Sequence, residues 1–134
     1  KGYSVAYESA SHLFSKLEKN RFHPSEESAQ AVAKLENSDL LIIDDLGVER
    51  NSEFAREQVF NIIDSRYRSQ LPMIATTNLT VDELKNPADL ARARIYDRVL
   101  ERCTAIKVND QNIRKLNMAE NLTKAKQLLE GVTA

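Results

Sequence analysis

The chain has 134 residues, 42% of them hydrophobic and only three each Gly and Pro, which favours one helix-rich globular domain over residues 1–134 and argues against disorder. A net charge of -1 and an isoelectric point near 6.2 exclude the overall positive field of a typical nucleic-acid-binding protein, so any such contact is expected to be local. The single cysteine, Cys103, excludes an internal disulfide. No apolar run approaches the roughly 18 residues that span a membrane, and no signal peptide is visible. We therefore expect a soluble cytoplasmic protein.

The first third of the chain predicts one strand and two helices. Tyr3 to Tyr7 is a short strand, and its two tyrosines, which alternate onto one face, are expected in the core. Ala10 to Leu17 carries apolar residues at helical spacing. After a loop from Asn20 to Ser25, Ser25 caps a second helix that runs through Leu35.

The rest of the chain alternates strands with helices. Leu40 to Asp45 and Met73 to Thr77 predict buried strands, Thr104 to Val108 predicts a last strand, and Val48 to Glu53 predicts a polar loop. Four helices are predicted in this part, namely Phe54 to Arg68, one from Val81, one from Asp89 to Glu101, and Ile113 to Leu129. The apolar stripe of the first consists of Val59, Phe60, Ile63 and Tyr67. The residues of the last that are expected to face inward are Leu116, Leu122, Ala125 and Leu129. Such alternation implies right-handed parallel connections, so the predicted fold is α/β with a doubly wound parallel sheet.

Two carboxylates follow the first buried strand. Asp44 and Asp45 end the run LLIIDD, at the edge where parallel sheets bind their ligands. Adjacent carboxylates repel each other unless a cation or hydrogen-bond donors hold them. Mg²⁺ takes oxygen ligands and is usually shared with phosphates, so this pattern indicates a Walker B strand of an ATP-binding domain. The alternative is a polar turn before Gly47.

A second polar cluster ends the next strand. Thr76, Thr77 and Asn78 follow the apolar run from Met73, and a parallel neighbour would bring Asn78 beside the carboxylates. There Asn78 could orient a water or contact a terminal phosphate, the role called sensor 1. The alternative for Asn78 is capping of the next helix, but Thr80 with Glu83 three residues later fits a capping box better.

Three arginines lie on one helical face. Arg94, Arg98 and Arg102 recur at four-residue intervals, where like charges repel by a few tenths of a kcal/mol per pair. Salt bridges to Asp97, Glu101 and neighbouring helices would compensate this repulsion. The functional alternative is that Arg94 or Arg98 reaches the phosphates of a nucleotide held by another subunit, as an arginine finger.

At this point five ordered blocks carry a family resemblance. They are DLLIIDDLGVER, REQVFNIIDSRYR, LPMIATTNLTVDEL, RIYDRVLERC and NIRK. In order and spacing they resemble the AAA+ domain of bacterial and phage helicase loaders of the DnaC/DnaI type, and transposition helper ATPases of the IstB type look similar over the same blocks. The resemblance implies a three-layer, P-loop NTPase-like core with a parallel sheet, and the cofactors ATP and Mg²⁺.

The resemblance also implies roles for individual residues. Asp44 would hold Mg²⁺ through water, Asp45 would polarise the attacking water, and Asn78 would be sensor 1. Arg98 matches the arginine finger, with Arg94 one turn earlier in the same motif. Asp45 stands where many AAA+ proteins have the longer Glu, which implies slow hydrolysis suited to a switch.

One further arginine, Arg114 in NIRK, matches the family's sensor 2 arginine and would bind nucleotide in its own subunit. The chain departs from the family at its start, because it contains no GxxxxGK[ST] loop to bind phosphates. Lys1 to Val5 looks like the family's second strand. We therefore expect that the first strand and the phosphate-binding loop are missing, that this chain alone does not bind ATP, and that Thr104 to Val108 lacks a partner strand on one side.

The function implied by the resemblance is in DNA replication: an ATP-dependent loader that, in the primosome, places the replicative helicase on single-stranded DNA and self-associates through the Arg98 face. The alternatives are an IstB-type transposition helper or a non-catalytic module that binds a helicase or DNA. A response-regulator receiver would combine the acidic pair Asp44 and Asp45 with Thr77 at a strand end and with Lys107 further on. This alternative is disfavoured because no strand between the acidic pair and Thr77 offers a phosphorylated Asp.

Overall fold

The computed structural model describes residues 2–47, 52–108 and 112–132. Three strands are formed, namely β1 (Val5–Ser9), β2 (Leu40–Asp44) and β3 (Met73–Ala75). The helices are α1 (Ala10–Phe22), α2 (Glu26–Asn37), α3 (Glu53–Arg68), α4 (Val81–Lys85), α5 (Leu90–Arg102) and α6 (Ile113–Val132). Within these ranges no helix is both long and apolar enough to cross a membrane.

The three strands form one parallel sheet in the order β1-β2-β3. Tyr7 pairs with Ile42 and Ile42 pairs with Ile74 in the register of the sheet. Helices connect successive strands, as parallel pairing requires. The predicted α/β class with a parallel sheet is confirmed.

The two faces of this sheet have different environments. Ala6, Leu41 and Ile43 share one face and are buried in the same hydrophobic cluster as the helices α1, α3 and α5. The opposite surface, which we call the open face, consists of Val5, Tyr7, Ile42 and Ile74, and three of these residues are 48%, 60% and 49% exposed (Val5, Tyr7 and Ile74). Among the described residues, the second helical layer of a doubly wound sheet is therefore absent.

The prediction that Tyr3 and Tyr7 belong to the core is wrong. Tyr3 is 86% exposed and precedes the strand, and Tyr7 lies on the open face. Since side chains alternate along a strand, Ala6 supplies the buried contact of β1 and its neighbour Tyr7 must point the other way.

Helix starts follow the local capping signals. Ser25 accepts a hydrogen bond from the Ser28 amide and completes a capping box with it, and Thr80 does the same with Glu83. Both predicted caps are confirmed.

Helix α1 extends five residues beyond its predicted end at Leu17, so its last turn occupies the start of the predicted loop from Asn20. The predicted loop from Val48 lies mostly outside the described residues.

The predicted stripe of α3 is only partly buried. Val59 and Ile63 are buried as expected, but Tyr67 is 37% exposed. Ile62 and Arg66 are buried instead, so the covered stripe is rotated toward them. Phe60 packs only at the margin of the core.

Two predictions for the end of the chain are wrong. Thr104 to Val108 is exposed and forms no strand, because no described strand lies beside it to pair with its amides and carbonyls. The helix α6 forms, but Leu116, Leu122 and Leu129 are 47%, 60% and 68% exposed. At about 100° per residue, Leu116 and Leu122 lie about 120° apart around the axis, so the predicted inward set does not form one stripe.

Arg66 is buried in the core, with 1% of its surface exposed. Its guanidinium donates hydrogen bonds to the carbonyls of Leu35 and Ser38 at 3.0 and 2.8 Å, and to that of Pro72 at 2.6 Å. The Arg66 Nε is buried with no hydrogen-bond partner among the described residues, and burial lowers the pKa of the group. This side chain therefore ties the end of α2 to the segment before β3.

We predict that Arg66→Ala lowers the free energy of unfolding by about 3 kcal/mol or more, because it opens a cavity and leaves buried carbonyls without donors. Arg68→Ala is the matched control, since Arg68 lies on the same helix but is 72% exposed, in an ion pair of 3.2 Å with Asp64. It should cost less than about 1 kcal/mol. Urea denaturation followed by circular dichroism compares the two, and equal losses would contradict a structural role specific to Arg66.

Candidate functional site

Asp44 lies at the carboxyl end of the middle strand, on the open face. The Tyr7 hydroxyl, from β1, donates to Asp44 Oδ2 at 2.8 Å. The Thr76 hydroxyl, which follows β3, donates to Asp44 Oδ1. Both oxygens of this carboxylate are thus held by side chains from the two neighbouring strands.

Backbone hydrogen bonds fix the hydroxyl of Thr76. The Asp45 amide donates to Thr76 Oγ1 at 3.0 Å, so this oxygen acts as the acceptor there and its own proton is directed to Asp44. The Thr76 amide donates to the Ile43 carbonyl at 2.9 Å, and the Leu46 amide donates to the Thr76 carbonyl at 2.8 Å. The segment after β3 therefore continues alongside β2 past its end.

These hydrogen bonds determine the protonation of the site. Hydrogen bonds from Thr76 and then Tyr7 hold the pKa of Asp44 below its ordinary value, and the charge of Arg114 lowers this pKa further. The same hydrogen bond to Asp44 raises the pKa of the Tyr7 hydroxyl. At neutral pH the site consists of an ionised carboxylate and a protonated phenol.

Asp45, the next residue, has a left-handed backbone with φ of 56°. Asp and Asn occupy this region several times more often than other non-glycine residues. Gly47 follows with φ of 104°, and any side chain there would overlap Leu79. The turn after β2 thus favours Asp or Asn at position 45 and requires glycine at position 47.

The structure places Thr76, rather than Asn78, against Asp44. Asn78 is exposed, and its predicted sensor 1 role stays a prediction. Sequence reasoning missed both Tyr7 and Thr76 as partners of Asp44. The signal that could have found Thr76 is strand register. Ile43 of β2 pairs with Ala75 of β3, so the residues that directly follow them along the chain, Asp44 and Thr76, lie side by side.

The arginines of α5 contact α3. Arg98 Nε lies 2.9 Å from Asp64 Oδ1, its Nη1 lies 2.8 Å from Glu101 Oε2, and its guanidinium lies 4.6 Å from the Tyr67 ring centre. Hydrogen bonds to Glu101 and then Asp64 raise the pKa of Arg98. Within this chain Arg98 thus forms the kind of salt bridge that was the alternative to an arginine finger.

Arg94 has a different environment from Arg98. It is exposed and its guanidinium lies 4.1 Å from the ring centre of Phe60, at a shallow groove between α3 and α5. Arg102 donates to the Gln70 carbonyl. Arg94 and Arg98 thus contact α3, whereas Arg114 acts on Asp44 only through its charge.

The donor set of the Asp44 site fits a hydrated cation. Each carboxylate oxygen has about two lone pairs, of which Tyr7 and Thr76 each occupy one. In the described parts of the chain no three His, Cys, Asp or Glu side chains cluster as a complete metal cage. Mg²⁺ suits such a site, since it keeps several waters and is usually bound by one or two carboxylates with substrate phosphates.

We predict that Thr76→Val raises the pKa of Asp44 toward its ordinary value of 3.8, because the strongest donor to the carboxylate is removed. Thr76→Ser keeps the hydroxyl and is the control. Carbon-13 titration of the Asp44 carboxyl in metal-free buffer measures the shift, and an identical pKa in both variants would contradict the assignment.

The same pKa has a consequence for stability. A lowered folded-state pKa stabilises the protein above the unfolded-state value, and this stabilisation is lost as the pH falls through the folded-state value. Below pH 3.8 the wild type should therefore lose more unfolding free energy than Thr76→Val, as acid titrations of urea midpoints can measure.

Comparison with solved structures finds replication proteins of the same fold. A DnaC helicase loader is 25% identical and has a TM-score of 0.60, with 78% of this chain and 60% of that chain covered. A DNA replication initiation factor is 17% identical with a TM-score of 0.67, and the match covers 93% of this chain and 47% of that one. DnaA bound to AMPPCP and single-stranded DNA is 17% identical with a TM-score of 0.65, over 92% and 46%. The chain thus spans 60% of the DnaC structure and about half of the others.

Comparison of sequences gives the family directly. No curated protein matches the chain. The family model described as IstB-like ATP binding protein matches residues 1–121. The AAA+ resemblance of the five sequence blocks is thereby confirmed, and the chain belongs to the family of IstB-like ATP binding proteins.

Proposed function

We propose that this chain is the Walker B to sensor 2 part of an AAA+ ATPase that acts in DNA replication, as a loader of the replicative helicase on single-stranded DNA. The observation that carries the ATPase assignment is the Asp44 carboxylate, held on both oxygens at the carboxyl end of the middle strand. The loader assignment rests on the 25% identity to a DnaC helicase loader. Single-stranded DNA is supported as a partner by the shared fold of DnaA bound to it.

The site residues divide the chemistry among them. Mg²⁺, when bound, neutralises charge on the β- and γ-phosphates. Asp44 would hold that ion through water, using the lone pairs that Tyr7 and Thr76 leave free. Asp45, exposed and one residue farther, would accept a proton from the attacking water. Asn78 would orient this water.

The cationic residues would act on the phosphates. Arg114 already lies near enough to Asp44 for its charge to lower the pKa of that carboxyl, so it would bind the nucleotide of its own subunit. Arg98 would act on the nucleotide of a neighbouring subunit, after exchanging Asp64 and Glu101 for phosphate. Arg94, stacked on Phe60, would support the subunit interface.

Two other functions have specific support. A transposition helper of the IstB type is favoured by the family model, which matches residues 1–121. A non-catalytic module that binds a helicase or DNA is favoured by the sequence, which contains no GxxxxGK[ST] loop. Membership of an ATP-binding family excludes the response-regulator alternative.

Titration calorimetry with Mg-ATP tests the ATPase proposal. We expect no appreciable binding by this chain, since two carboxylates without a phosphate-binding loop repel a polyphosphate. Micromolar affinity is expected for a longer protein in which a first strand and phosphate-binding loop of this family precede the chain. If that longer protein also fails to bind ATP, the ATPase proposal is wrong and the non-catalytic module is favoured.

A loading assay separates the two ATP-dependent functions. The longer protein should transfer a purified replicative helicase onto circular single-stranded DNA only when ATP is present. Failure to transfer the helicase, together with stimulation of strand transfer by a transposase, would instead favour the transposition helper.

We predict that Asp45→Asn in the longer protein lowers ATP hydrolysis at least about 100-fold while ATP binding is kept, because a general base contributes about 10² to 10⁴ in rate. Asn tolerates the left-handed backbone at this position, so the fold should be unaffected. Asp44→Ala is the comparison, and it should weaken the Mg²⁺-dependent part of both binding and hydrolysis. Hydrolysis at the parent rate by Asp45→Asn would refute the assigned role.

We predict that Arg98→Ala in the longer protein leaves nucleotide binding by a monomer intact but lowers turnover by about 10³ to 10⁵, the measured contribution of arginine fingers. Arg102→Ala is the matched control, because Arg102 lies one turn later on α5 and donates to a carbonyl of its own chain. It should keep most of the turnover.

Mixing experiments test whether Arg98 acts in trans. When Arg98→Ala protein is mixed with Asp45→Asn protein, some interfaces pair an intact arginine with an intact Walker B site, and activity should partly recover. If both variants fold and associate but no activity returns, Arg98 is a surface salt-bridge residue bound to Asp64 and Glu101.

A further inference from the structure

Tyr7 occupies an unusual position for a strand tyrosine. Its ring lies on the open face, 60% of the residue is exposed, and its hydroxyl donates to Asp44 Oδ2 at 2.8 Å. In the register of the sheet Tyr7 pairs with Ile42, so Asp44 is its diagonal neighbour on the same face. The length of the phenol ring spans this diagonal.

The exposure of Tyr7 limits its structural value. A ring that stays largely in water contributes little burial energy, in contrast to Leu41 and Ile43 on the covered face, which are 0% exposed. The specific contribution of Tyr7 is therefore the hydrogen bond to the carboxylate. Phe would cover the same surface but could not make this bond.

The hydrogen bonds from Tyr7 and Thr76 together fix the rotation of the Asp44 carboxylate. A single donor would leave the group free to rotate about its bond to Cβ, whereas donors on both oxygens, from opposite sides, hold its plane. The lone pairs that remain are then directed away from both neighbouring strands. Donors held in this way reduce the cost of ordering a site when its ligand arrives.

We propose that Tyr7 is a positioning residue, which holds the Asp44 carboxylate so that its free lone pairs face a hydrated divalent cation. This inference rests on the proposed function in one respect, the binding of Mg²⁺ at Asp44. Tyr7 does not contact the cation itself in this arrangement. Its hydrogen bond acts through Asp44, as hydrogen-bond partners of metal ligands commonly do.

The test uses Mg²⁺ alone as the probe, with amide chemical shifts of Asp45 and Thr76 as the readout on the whole chain. Tyr7→Phe should raise the dissociation constant for Mg²⁺ about tenfold, at the lower end of the 10- to 100-fold cost of removing such a partner. Tyr3→Phe is the matched control, since it removes a phenol hydroxyl from a tyrosine that is 86% exposed. It should leave the constant unchanged.

A second readout, without metal, separates the failure of this inference from the failure of the proposed function. The carbon-13 shift of the Asp44 carboxyl should change in Tyr7→Phe and not in Tyr3→Phe. If this shift changes but the wild type gives no Mg²⁺ response that Asp44→Asn removes, Tyr7 still positions Asp44 and the metal role is wrong. If the carboxyl shift is unchanged, or if Mg²⁺ binds Tyr7→Phe as tightly as the wild type, the inference is overturned.

Discussion

The buried guanidinium of Arg66 fixes where two of the three strands begin. It donates to the Ser38 carbonyl just before β2 and to the Pro72 carbonyl just before β3. Because the donors of a guanidinium have a rigid, planar arrangement, these two segments are held at one offset from each other. The same offset between β2 and β3 continues to the carboxyl ends of both strands, and Thr76 therefore lies beside Asp44. A slip of one residue would turn Asp44 onto the covered face of the sheet.

The sequence identified the acidic end of β2 but not the side chains that hold it. Asp44 directly follows a run of four apolar residues, so neighbouring residues in the sequence were enough to predict its position at the end of a strand. Its partners Tyr7 and Thr76 are 37 and 32 residues away along the chain, and only the register of the sheet brings them together. The expectation that Asn78 would lie beside the carboxylate used the strand ends without that register. The register brings Thr76 to Asp44, and the sensor 1 role of Asn78 stays a prediction.

The same distinction explains which parts of the fold were predictable. The caps at Ser25 and Thr80 involve residues three positions apart, so the sequence contains the whole interaction. The strand expected from Thr104 required a partner that no described segment supplies, and pairing cannot be read from one strand alone. The sequence analysis did not single out Arg66. Arginines are rarely buried, and the Leu35 and Ser38 carbonyls that accept from this one lie 31 and 28 residues away along the chain.

The turn after β2 constrains its two left-handed residues to different degrees. Asp45 has a φ of 56°, a backbone region that Asp and Asn enter several times more often than other non-glycine residues because their short polar side chains hydrogen-bond locally. Gln70 has the same φ of 56°, so a side chain as long as that of Glu is accommodated in this conformation elsewhere in the chain. Gly47 has a φ of 104°, and a β-carbon there would overlap Leu79 Cδ1. A change in the length of the second carboxylate is therefore compatible with this turn, whereas a side chain at position 47 is not.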